Sequence, residues 1–258
     1  MTAHELMVKT NHYLIKDGEL TAMQKDKIVR QLLVARSDQK TKQSFYKGVG
    51  AGTGTYPVYF IPPFNDNKKL QTVIPMSPKT HILSSNAYEL DILRLLSLFA
   101  PDHPTVREMV AGTLERLENS CPGGDCCQGE CFHSSLPVLR FFTVAAPDEK
   151  EWMCKLAAKI NNGIDNKYKD NATRYYWLCL SELPFDVAEP GLIKYKDKIL
   201  SLINKSAPMN TEHAKTYQPV MYYIYRNCLS RFPEYAYIKE RQPYVSEKDE
   251  RLHFDSIL

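Results

Sequence analysis

Apolar residues return at the helical period through most of the chain, and the interruptions fall on threonine, asparagine, glycine and proline. Two of the interruptions have the spacing of a capping box. In Thr2-Ala-His-Glu5 and Thr21-Ala-Met-Gln24 the hydroxyl and the acid or amide side chain can satisfy free amides at a helix start, which predicts two helices joined at Asp17-Gly18. The second carries Met23, Ile28, Leu32 and Ala35 near the helical period and turns Lys25, Lys27, Arg30 and Arg36 outward, as an amphipathic surface helix does. From Gly48 the pattern changes. Glycines alternate through Gly54, and residues 56–61 and 70–74 read as two short strands about Asn65-Asp66-Asn67, a β-hairpin. Pro57, Pro62, Pro63, Pro75 and Pro78 confine such strands to an edge or a protruding arm, because proline cannot donate to a ladder.

After Ser84-Ser85-Asn86, a cluster suited to capping, the helical period takes over again. Here the chain repeats itself. Leu90-Asp-Ile-Leu93-Arg94-Leu95-Leu96, followed by Ala100-Pro101-Asp102, recurs as Leu136-Pro-Val-Leu139-Arg140-Phe141-Phe142, followed by Ala146-Pro147-Asp148, at a gapless offset of 46 residues. Val106, Val110 and Leu114 map in the same register onto Trp152, Leu156 and Ile160, an apolar stripe in both copies. Each unit reads as a helix ending near Ala-Pro, an Asp placed to cap the next helix, and a second helix packed back on the first. One such pair cannot bury both its faces, so copies stack.

The segment Ala100-Pro-Asp102-His-Pro-Thr-Val106-Arg107 resembles the HEAT repeat family, and the resemblance covers residues 86–161. It implies an α-α superhelix, a fold that mostly scaffolds binding. Farther on, the aromatic runs at Tyr175 and Val220, followed by Pro184 and Pro233, look like further first helices, with a partner over residues 192–202 between them. The expected fold is mainly α: a HEAT-like stack of helix pairs over residues 86–258, with residues 1–85 forming a small helical hairpin and the β-hairpin. Both parts are expected to pack as one globular unit.

Composition narrows the function only by exclusion. With 258 residues, 43% apolar and 11% aromatic, the chain can bury a large core, and its formal charge of +3 is too small for a broad nucleic-acid-binding field. No apolar run is long enough to span a membrane, and the N-terminal residues lack the continuous apolar stretch of a signal peptide. The seven cysteines then read as reduced thiols, and the expected location is the cytoplasm, away from membranes.

Several residues are candidates for chemistry. Arg94 and Arg140 hold equivalent repeat positions inside apolar helices, where each guanidinium either pairs with a carboxylate of a neighbouring unit or lines a groove that grips an acidic partner. Lys27, Arg30 and Arg36 belong to a stretch with seven basic and two acidic residues between Lys25 and Lys47, a stripe that could follow phosphates. Gly50 and Gly52 sit in a loop that could close over a ligand. Cys121, Cys126, Cys127, Cys131 and His133 supply enough soft ligands for a structural zinc, although paired Cys-x-x-Cys spacing is missing and a reduced surface loop is the simpler reading. No cofactor and no catalytic residue is read from the pattern. The expected function is therefore a non-enzymatic protein or peptide interaction module. The alternatives are a nucleic-acid-binding helical-repeat protein and a small-molecule enzyme with its pocket under the glycine loop.

Overall fold

The threonines that the sequence places before helices do cap them. The protein is seen here as a computed structural model that describes residues 1–37, 57–63, 70, 72–76, 78–79, 81–124, 129–167 and 171–255. Thr2 Oγ1 accepts from the Glu5 amide at 3.2 Å and Glu5 Oε2 accepts from the Thr2 amide at 2.8 Å, which opens α1, Ala3–Ile15. The same reciprocal pair between Thr21 and Gln24 opens α2, Ala22–Val34. Between them Asp17 takes a left-handed φ of 57°, and the chain folds so tightly that a side chain on Gly18 would collide with the Tyr13 ring.

Seven more α-helices follow among the described residues: α3, His81–Phe99; α4, Pro104–Glu118; α5, Gly129–Ala145; α6, Lys150–Lys167; α7, Asn171–Glu182; α8, Phe185–Ile203; and α9, Glu212–Leu229. A 3-10 helix spans Pro233–Glu240. Proline follows the end of three first helices as expected. α3 stops before Pro101, α5 before Pro147 and α7 before Pro184, because the residue preceding a proline is driven out of the helical region. The first helices of successive pairs pack in a row, α3 on α5, α5 on α7 and α7 on α9, while α4, α6 and α8 lie against their own first helices. α6 and α8 also touch one another.

Burial follows from this layering. Leu90, Ile92, Leu93, Leu95 and Leu96 of α3, and Leu136, Val138, Leu139, Phe141 and Phe142 of α5, are all fully buried, as befits helices that are apolar nearly all round. α4, α6 and α8 each keep a solvent face. α1 crosses the row: it packs against α3 and against α9, joining the first inner helix to the last. The Asp17 carboxylate at its end takes the buried Arg226 guanidinium of α9, and Lys239 Nζ approaches the same group at 3.5 Å.

Two expectations are corrected. Asp102 does not cap α4: the helix begins one residue later, with His103 as the cap and Pro104 in the first turn, and the Asp102 carboxylate binds Arg107 instead. Proline brings a preset φ and lacks the amide that a side-chain cap would satisfy. The described residues of the predicted β-hairpin, 57–63, 70 and 72–76, form no strand. Side chains meet their main-chain groups: the Tyr59 amide donates to Glu89 at 2.5 Å, the Ile61 amide to Ser37 Oγ at 3.0 Å, and the Met76 amide to Thr72 Oγ1 at 2.9 Å. With prolines removing ladder donors, these contacts replace a ladder.

Strand pairing occurs elsewhere. β1, Ala207–Pro208, β2, Tyr244–Val245, and β3, Arg251–His253, form an antiparallel sheet in the order β1-β3-β2, with Ala207 opposite Leu252 and Tyr244 opposite His253. Pro208 lies on an edge strand, where a missing donor is tolerated.

Candidate functional site

Arg94 and Arg140 meet on one carboxylate. The helical register turns both inward from α3 and α5, and α7 delivers Glu182 between them. Arg140 donates from Nε and Nη2 to the two Glu182 oxygens, each at 2.9 Å, and from Nη1 to Asp91 at 2.9 Å. Arg94 Nη2 donates to Glu182 Oε2 at 2.9 Å, and the Tyr175 hydroxyl faces both Asp91 oxygens at 3.4 Å.

Two cations thus face two anions inside three stacked helices. Burial alone would lower Arg140, but Glu182 and Asp91 outweigh it and push its pKa up. Burial would likewise raise Glu182, yet Arg140 and Arg94 hold it below the usual carboxylate range. Burial raises Asp91 despite the same two arginines. Arg94 is lowered, first by burial and then by Arg140, and its Nε and Nη1 have no hydrogen-bond partner. The carboxylate that these arginines grip belongs to the chain itself.

The other candidates are not drawn into this network. Lys27 and Arg30 stand exposed on α2, where Arg30 pairs with Asp26. Arg36, just past α2, lies 4.0 Å from Glu108 and covers the Tyr59 ring at 5.6 Å. Gly50, Gly52, Cys126 and Cys127 fall outside the described residues. Cys121 is exposed and Cys131 half-buried, and no three candidate metal ligands converge among the described residues. His133 is pushed down by burial, while its neighbour Glu130 accepts amide hydrogen bonds from Lys79 and Leu83 at the start of α3.

A second feature lies on the outer layer. α4, α6 and the turn at Gly123-Gly124 enclose an open groove of about 570 Å³. Leu114, Trp152 and Leu156 form its apolar floor, and Glu115, Glu118, Glu149 and Glu151 stand around it. Trp152 is fixed in place. Its indole N–H donates to the Gly123 carbonyl at 2.7 Å and its ring leans on Phe142 at 4.5 Å. Any side chain at Gly123 would strike the Leu117 carbonyl, so glycine is what allows the turn to come this close.

Of the two lysines in the groove, Lys155 pairs with Glu151 at 2.8 Å and Lys159 reaches the Pro122 and Gly124 carbonyls. Glu115, Glu118 and Glu149 form no ion pair among the described residues. The periodicity placed Leu114, Trp152 and Leu156 in the stripes but could not join the two stripes across a groove. The one signal in the sequence was a tryptophan where the equivalent position of the first unit holds Val106.

Among the described residues no helix is long and apolar enough to cross a membrane. Comparison with family models, with curated proteins and with solved structures finds no match for this chain.

Proposed function

We propose that this chain is a protein-interaction module of HEAT-like helix pairs that receives a partner segment on its outer layer. The groove between α4 and α6 is the observation that carries the reading: an open, partly apolar trough with a fixed tryptophan, lined by Glu115, Glu118 and Glu149, which form no ion pair among the described residues. Buried aromatic anchors ringed by polar groups are the usual chemistry of such contacts. The row of first helices supplies a stiff frame, and α1, packed on α3 and α9, occupies part of its surface, which favours the outer layer as the contact face.

A photo-crosslinking residue placed at Glu115 of the full chain, in extract of the native host, tests this. The expected result is a discrete protein adduct, absent when the same residue stands at the exposed Ile193 of α8. Equal, diffuse labelling from both positions, or none, would overturn the reading.

A further inference from the structure

We infer that the groove between α4 and α6 takes an arginine-bearing basic segment of a partner protein, with a guanidinium laid on Trp152. The inference rests on the interaction reading above and supplies the partner's chemistry. Among the described residues four glutamates line the groove against two lysines, and both lysines are already engaged, one with Glu151 and the other with loop carbonyls. The carboxylates left over therefore set the sign of the field that a partner meets.

Glu115 and Glu118 lie three residues apart on α4, so their side chains rise side by side along one wall. Glu149, the residue before α6, lines the same groove. The apolar lining includes an indole whose edge is tied to Gly123 and whose ring rests on Phe142, which lowers the cost of ordering that ring when a ligand arrives. An aromatic ring and several carboxylates lining one groove suit a planar cation better than a spherical one. Guanidinium stacks on the ring and donates sideways in a fork, whereas an ammonium offers a single point charge. A span of about 570 Å³ exceeds one side chain and accommodates a short stretch of peptide.

The probe is a short fluorescein-labelled Gly-Ser peptide carrying several arginines, compared with its lysine and citrulline analogues by fluorescence anisotropy on the full chain. Arginine is expected to bind best, lysine several-fold more weakly, and neutral citrulline not measurably. Glu115→Gln with Glu118→Gln should weaken the arginine peptide roughly tenfold, since each exposed charge contributes up to about a factor of five. The charge-matched pair Glu240→Gln and Glu247→Gln should leave it unchanged. Trp152→Phe, with folding checked by circular dichroism, should weaken it several-fold.

Three results would overturn the inference: citrulline binding as well as arginine, equal losses for the two glutamine pairs, or arginine methyl amide competing as well as the peptide. A crosslink from position 115 into a partner segment without basic residues would also sink it, yet would leave the interaction reading standing.

Discussion

Arg140 is fully buried, and the three hydrogen bonds of its guanidinium go to carboxylates. Removing it would leave Asp91 buried without its cation, so Arg140→Met is expected to cost about 3–5 kcal/mol. Arg94 makes one bond to the same network, and Arg94→Met should cost only about 1–3 kcal/mol because two unpaired N–H groups disappear with it. Urea denaturation of both variants measures the difference, and equal losses would contradict the geometry. His12 supplies the pH dependence. Its Nε2–H donates to the Val73 carbonyl at 2.7 Å, and burial, with Lys16 and Arg140 adding to it, holds its pKa below the ordinary 6.5. The unfolded chain therefore takes up this proton at higher pH than the folded one. The contribution is complete above about pH 6.5 and is lost as pH falls toward the folded value. Melting curves from about pH 8 to about pH 5 should show declining stability, and His12→Gln should flatten part of that slope, with His133 contributing in the same sense.

Helix starts and stops were legible because the groups that make them are neighbours in the chain. Thr2→Ala and Thr21→Ala should each cost about 1 kcal/mol in thermal or chemical denaturation, since each removes one half of a reciprocal cap. The misreading of Asp102 belongs to the same scale: a proline two residues on moved the boundary, and composition alone did not show which side chain would cap. How the elements meet was not legible. Gly163 lies inside α6, where alanine would ordinarily gain about 1 kcal/mol, yet a Cβ there would fall inside contact distance of the Phe132 ring of α5. Gly163→Ala should therefore destabilise by about 1–3 kcal/mol, and a rise in melting temperature would show that α6 can slide away from α5 without penalty.

Across the whole molecule, α1 makes the ends of the row interdependent. Arg226 is buried at the α9 side of this contact, held by Asp17 and by the Arg241 carbonyl at 3.0 Å, with its guanidinium 4.5 Å from the Tyr223 ring centre. Asp17→Asn keeps the shape and removes the charge. Amide hydrogen exchange in α1 should accelerate by roughly tenfold while α5 stays protected, because a charge-assisted bond contributes about 1.5 kcal/mol or more. Unchanged protection in α1 would mean that its apolar face alone, with Leu6, Met7, Val8 and Ile15 buried, secures the docking.

The sequence by itself determined the helical character, the reciprocal caps, the breaks at Ala-Pro and the register that made Arg94 and Arg140 equivalent. All of these depend on residues a few positions apart, so periodicity and local hydrogen bonding suffice to specify them. The tertiary structure decided the partners. Glu182 stands 88 residues from Arg94 and 42 from Arg140, Asp17 lies 209 residues from Arg226, and Tyr59 takes its acceptor from α3 in place of a strand. The groove is likewise a product of stacking, because Glu118 and Trp152 belong to different helix pairs and line one groove only once the pairs are stacked. Hydrophobic pattern states which face turns inward and is silent on which charges that face will meet, since the burial that orders it is non-directional.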